Sequence, residues 1–215
     1  MPFTKILYLV FVMFISLGLI AGCGKKDSGT TTGEKEKTEV KKDAEITENT
    51  PVHLKYDLQG DEKGTLDMHF KGKNAKLDIK GTEDGKEVSS TIYVKEGMMY
   101  MVMDLMGKKM GMKMDVSKDA EFNKSFGQLY DVKDKLKNYT KGENEEILGY
   151  KCTVYSKDKE KVWIYKDAVA LKFTDGKTTM VASAFEPDAK LAEGFFDPPK
   201  DIEFQSMDDL KNLGK

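Results

Sequence analysis

From Pro51 onward, apolar and polar residues alternate with a period of two. Val52, Leu54, Tyr56 and Leu58 are separated by His53, Lys55 and Asp57, and Leu66, Met68 and Phe70 repeat the pattern after a Gly-containing connection. Successive side chains of a strand point to opposite faces of a sheet, so this period predicts half-buried strands. Ala75, Leu77 and Ile79 predict a third, residues 82–85 a turn, and residues 88–94 a fourth. One-sided alternation of this kind favours an antiparallel meander. The rhythm breaks over residues 117–138, where Phe122, Phe126, Leu129, Tyr130 and Leu136 recur at spacings suited to one helical face. Ser117 can cap that helix, Asp119 and Glu121 fall in its first turn, and Lys133, Lys135 and Lys137 fall near its end, charges that complement the helix dipole; Gly127 splits the stretch. Strands resume near Ile147, and residues 150–155, 161–165, 169–173 and 178–185 form a second antiparallel set separated by charged and Asp-Gly turns. A final short strand is expected at residues 202–204.

The N-terminus carries a different signal. Lys5 precedes an apolar run from Ile6 to Ile20 that ends at Ile20-Ala21-Gly22-Cys23. The run is shorter than the ~20 residues a spanning helix needs, and it stops at small residues, the pattern of a secretory signal. Small residues before a cysteine resemble a bacterial lipobox, which implies cleavage after Gly22 and lipid attachment to the Cys23 sulfur. Residues 24–50 are dense in Lys, Glu and Thr and nearly devoid of large apolar side chains. Such a segment cannot bury enough surface to fold and reads as a charged tether. The expected organisation is a signal peptide at 1–22, a tether at 23–50, one domain at 51–208 and a polar tail at 209–215. The location is extracytoplasmic, on a cell membrane or an outer membrane.

Composition narrows the function. The 215 residues include 35 basic side chains, all of them Lys, against 37 acidic ones, for a net charge of −2. Without the bidentate guanidinium fork or a polycationic face, nucleic acid is not an expected partner. Lipidation of Cys23 leaves Cys152 as the one remaining thiol, so no intramolecular disulfide is expected. Cys152 alternates with polar neighbours and reads as a small buried strand residue. Two histidines, no phosphate-binding loop and no metalloprotease or nucleophile-elbow motif point away from an enzyme and from any cofactor. His69, between Met68 and Phe70, reads as a surface-facing strand residue.

The most unusual stretch lies between Met98 and Met114, which holds eight of the chain's 13 methionines. A hairpin turning at Gly107-Lys108 would set Leu105 opposite Met110, Met103 opposite Met112 and Met101 opposite Met114. Met99, Met101, Met103, Leu105, Met110, Met112 and Met114 would then share one face, with Tyr100, Val102, Asp104, Lys109 and Lys113 on the other. Three readings of that face stand open. It is filled core with Met as gap-filler; or the wall of a cavity that repacks around a flexible apolar ligand; or a thioether surface for Cu(I).

The runs Ile147-Leu148-Gly149-Tyr150-Lys151-Cys152-Thr153-Val154-Tyr155, Val162-Trp163-Ile164-Tyr165-Lys166-Asp167 and Leu171-Lys172-Phe173, with the ending Phe196-Asp197-Pro198-Pro199-Lys200-Asp201-Ile202, resemble the core of the LolA/LppX-like lipoprotein-sorting families. The resemblance covers about residues 145–205. It implies a mainly β (α+β) domain: a curved, incomplete antiparallel β-barrel with a helical insertion as plug or lid and an apolar cavity for lipid. The chain departs from soluble carriers of that kind, which use a cavity Arg, since it has a lipobox and no Arg. The resemblance therefore implies an anchored protein binding a lipid or other hydrophobic ligand, with extracytoplasmic Cu(I) binding and a ligand-free structural module as alternatives. Cys23 is the sole expected membrane attachment, because nothing after it is long and apolar enough to insert. Replacing Cys23 with Ala should abolish incorporation of radiolabelled fatty acid and lipoprotein-type cleavage; a variant still labelled and cleaved would refute the assignment.

Overall fold

The computed structural model describes residues 46–61, 63–83, 86–105, 107–118 and 136–206. The expected signal peptide, Cys23, most of the tether, most of the expected helix and the 209–215 tail lie outside them. Twelve strands follow in order: β1 (Val52–Gly60), β2 (Gly64–Lys71), β3 (Asn74–Glu83), β4 (Lys86–Lys95), β5 (Met98–Leu105), β6 (Lys108–Asp115), β7 (Thr140–Ile147), β8 (Tyr150–Lys157), β9 (Glu160–Tyr165), β10 (Val169–Thr174), β11 (Thr178–Pro187) and β12 (Phe204–Ser206). They form one open, curved sheet in the order β12-β6-β5-β4-β3-β2-β1-β11-β10-β9-β8-β7. The two sets of strands expected from the sequence are thus one sheet, because β1 pairs with β2 on one side and β11 on the other.

Two elements differ from expectation. β7 spans Thr140–Ile147, where the sequence suggested only that strands resume near Ile147. It is an edge strand exposed along almost its whole length, so no apolar alternation marks it. The last strand is Phe204–Ser206 and pairs parallel to β6, an exception to an otherwise antiparallel sheet. It reaches β6 by a crossover from β11, and a crossover rather than a hairpin is what brings a strand in parallel.

The strand register arranges the apolar side chains in rows that run straight across the sheet. One row is Phe185, Leu54, Met68, Leu77, Ile92, Met101 and Met112; its neighbour is Val52, Phe70, Ala75, Val94, Met99 and Met114. With Tyr150, Cys152, Val154, Leu171, Met180 and Ala182 from the other half, these build one continuous core. Phe70, Leu171 and Met180 are fully buried, and each such side chain contributes roughly 1.5–3 kcal/mol. Tyr56 reaches past its small cross-strand partner Ala182 to donate its hydroxyl to the carbonyl of Ala170, beside the bulge that interrupts β10. A buried tyrosine hydroxyl needs such a partner.

The opposite face is covered in two places. Leu136 and Tyr139 pack with Val162, Ile164, Tyr155 and Phe173 behind β8–β10. The chain after β11 forms a strap across β2–β6: the Ala189 N–H donates to the Pro51 carbonyl, the Phe195 ring lies 4.7 Å from His69, Asp197 pairs with Lys95, and Phe204 meets Tyr100 edge-on at 5.2 Å. The strap ends against Gly111, where a Cβ would lie 2.7 Å from both the Glu203 carbonyl oxygen and Ile202 Cγ2. Gly111→Val should therefore lift β12 from β6, costing about 1–3 kcal/mol by overpacking. Hydrogen exchange should show protection lost at residues 202–206 and retained in β1–β4; unchanged protection at 202–206 would contradict this account of Gly111.

Candidate functional site

The methionine hairpin is formed by β5 and β6, with a register two residues from the expected one. Met99 pairs with Met114, Met101 with Met112, Met103 with Met110, and Leu105 with Lys108. The connection is therefore two residues long and ends on Gly107, instead of comprising Gly107 and Lys108. Gly107 has φ +83°, a conformation glycine adopts without steric cost, and its N–H donates to the Asp104 carboxylate at 2.8 Å. A slip of two residues preserves the alternation, so each methionine keeps its expected face. A slip of one would have inverted them all.

Burial along this face falls toward the hairpin tip and the β6 side. Met99 and Met101 are buried at 9% and 8% exposure, while Met103, Met112 and Met114 are half-buried against the core. Met110 is 48% exposed and borders an open groove of about 310 Å³ between β6 and β12, with Ile202, Glu203 and Gln205 among its other walls. The Leu105 side chain lies outside the described residues. The row nearest the tip runs Tyr56, Leu66, Ile79, Ser90, Met103, Met110. Ser90 is 2% exposed, and its Oγ has no hydrogen-bond partner among the described residues. A hydroxyl left unmatched on an apolar wall is costly unless something supplies a partner. Chemically, the face offers flexible, polarizable apolar contacts and one unmatched hydroxyl.

A second cluster, not anticipated as a site, lies on the other face. His53 and His69 sit directly opposite one another on β1 and β2, with rings stacked at 4.2 Å and 7° between planes. His53 Nε2 is 3.0 Å and His69 Nδ1 3.5 Å from the same oxygen of Asp67, and His53 Nδ1 is 3.8 Å from Glu186. His69 occupies the outward face as expected, yet its side chain is only 19% exposed beneath Phe195. Burial, then the neighbouring His53, pushes its pKa down and favours the neutral ring. The one sequence signal was that both histidines occupy polar-phase positions of consecutive strands; their juxtaposition depends on the hairpin register.

Comparison with known proteins adds little. No protein-family model matches the chain, and no curated protein matches it. Among solved structures, PNGF-II is similar at 12% identity with a TM-score of 0.39, over 76% of this chain and 32% of that one. The chain thus spans about a third of PNGF-II. LprF from Mycobacterium bovis is similar at 13% identity with a TM-score of 0.38, over 66% of this chain and 87% of that one. Likeness at this level assigns no activity, and the functional argument rests on the chain's own geometry.

Cys152 behaves as its strand position suggested. It has 0% exposure, its Sγ lies 3.5 Å from the Tyr150 carbonyl oxygen, and burial pushes its pKa up to about 11. At pH 8, roughly one such thiol in a thousand is ionised. Maleimide labelling mapped by mass spectrometry should leave Cys152 unmodified in the folded chain and modify it in denaturant; rapid labelling of the folded form would overturn this placement.

Proposed function

We propose that the chain is a lipid-anchored extracytoplasmic protein that binds the apolar part of a lipid, such as an acyl chain, against its methionine face and catalyses no reaction. The observation that carries the reading is the exposure gradient along that face. A core built to be sealed buries its edge rows, whereas here Met103, Met112, Met114 and Met110 grade from half-buried to open. Unbranched thioether side chains can repack around acyl chains of different length. Covering them with hydrocarbon recovers about 25 cal/mol per Å² of apolar surface removed from water. Once Met103 repacks, the buried Ser90 hydroxyl would offer a hydrogen bond to an ester or carboxyl oxygen entering the same row. The lipobox-like ending at Cys23 and the LolA/LppX-like pattern over residues 145–205 support the same reading and give it an address.

The register also favours Cu(I) as a second reading, because Met99/Met114, Met101/Met112 and Met103/Met110 are three thioether pairs directly opposed across the hairpin. One triple variant separates the two. Met101→Leu with Met103→Leu and Met112→Leu keeps the wall apolar, typically at under ~1.5 kcal/mol per exchange, and removes sulfur. Native mass spectrometry of the chain released from membranes in mild detergent should show a lipid adduct in parent and triple variant alike. The Met103→Lys variant should fold and lose the adduct, since an ammonium in the row excludes hydrocarbon. Absence of an adduct from the parent, or unfolding of Met103→Lys, would defeat the lipid reading; copper on the parent that disappears in the triple variant would replace it with the second.

A further inference from the structure

We propose that His53, His69 and Asp67 form a binding site for a divalent transition-metal ion of the Zn²⁺ or Cu²⁺ class, on the face of the sheet opposite the methionines. One ligand atom from each residue lies within 4.8 Å of the other two. The site is built by strand register alone. His53 is the cross-strand partner of His69, and Asp67 stands two residues before His69, on the same face of β2. Three donors therefore converge from two adjacent, hydrogen-bonded strands, which is a rigid platform.

Four features distinguish this cluster from an ordinary surface grouping of polar side chains. First, His69 Nδ1 is buried and has no hydrogen-bond partner among the described residues; it is 3.5 Å from Asp67 Oδ1 but outside hydrogen-bonding geometry. A buried ring nitrogen left unmatched beside a carboxylate is a donor free to take a metal ion. Second, Glu186 stands 3.8 Å from His53 Nδ1, the nitrogen that does not face Asp67. A carboxylate on the far nitrogen is the usual outer partner of a metal-bound histidine, fixing its tautomer and orientation.

Third, Asp67 is directly opposite Asp78 on β3, and like charges in that position oppose pairing. Asp78 is engaged by Lys76 at 3.2 Å and by the Thr91 hydroxyl at 2.7 Å, while Asp67 stands opposite Lys55 on β1 and bonds His53 Nε2 at 3.0 Å. A cation held between Asp67 and the imidazoles would screen Asp67 from Asp78. Fourth, the Phe195 ring of the strap covers His69 and shields that side of the cluster from water. Two imidazole nitrogens with one carboxylate oxygen suit Zn²⁺, Cu²⁺ and Ni²⁺, while Mg²⁺ and Ca²⁺ prefer oxygen throughout. Bonds of about 2.0–2.1 Å to zinc require the two rings to rotate out of their stacked arrangement so that both ring nitrogens aim at one point. The methionine sulfurs project from the other face and take no part, so the site is independent of the proposed lipid function and of its Cu(I) rival.

The test uses the whole chain in detergent, stripped of metal with EDTA. Competition against a chromophoric chelator should give one tight Zn²⁺ per chain. His53→Ala and His69→Ala should each weaken it at least about 100-fold and Glu186→Gln about 10-fold, while the triple Met→Leu variant leaves it unchanged. Cu²⁺ added to the parent chain should give an electron paramagnetic resonance spectrum with hyperfine coupling to two imidazole nitrogens, a readout that does not depend on any variant folding. Zn²⁺ affinity unaffected by both histidine substitutions, or a Cu²⁺ spectrum without nitrogen coupling, overturns the proposal.

Discussion

The pairing of β1 with β11 is the joint on which the architecture depends. It runs from Val52 opposite Pro187 to Gly60 opposite Thr178, and it alone turns β1–β6 and β7–β11 into one sheet. Bringing Gly60 to Thr178 closes a loop of roughly 120 residues, at a chain-entropy cost on the order of 4 kcal/mol. Val52, Leu54, Tyr56 and Leu58 on β1 and Met180, Ala182 and Phe185 on β11 are all buried along this seam. At roughly 1.5–3 kcal/mol for each large side chain, their burial exceeds the closure cost severalfold, before any ladder hydrogen bond is counted. The single bulge in the pairing, between Lys55 and Tyr56, shifts the register beside the residue whose hydroxyl then spans to β10.

An open sheet leaves two edges, and they are protected differently. β7 carries Lys141, Glu143, Glu145 and Glu146 along an exposed strand and has a register break between Lys141 and Asn144. Charge and irregular pairing both discourage another chain from adding there. The other edge is covered by three residues of β12, delivered by a strap held through Phe195, Asp197 and Phe204. The aromatic contacts and the short parallel ladder hold the strap, since an exposed ion pair such as Lys95–Asp197 adds little.

What was legible in the sequence follows from the same physics. Val52–Leu58, Leu66–Phe70 and Ala75–Ile79 declare themselves because one face is buried and the other wet, and the alternation also fixed the face of every methionine in β5 and β6. Alternation alone does not place the turn, because both Gly107-Lys108 and the two-residue connection ending on Gly107 satisfy it; the pairing of Leu105 with Lys108 selects the second, and the Gly107 N–H then donates to Asp104. β7 was missed for the converse reason. Neither of its faces is covered, so its residues carry no period. β12 and the strap act through contacts between residues about a hundred positions apart, such as Phe204 with Tyr100, which no local pattern encodes.

The histidine cluster shows how a sheet converts parity into chemistry. His53 and His69 are separated by 16 positions, and nothing in either neighbourhood signals a ligand pair. Their meeting depends on the β1–β2 connection setting Leu58 opposite Gly64; a slip of one residue would send one ring into the core, and a slip of two would part them by a full strand repeat. The same parity keeps imidazole nitrogens and methionine sulfurs on opposite sides of the sheet. A site mixing the two donor types is thus excluded by the register. The strap also touches both neighbourhoods, since Phe195 lies on His69 and Ile202 lines the groove beside Met110.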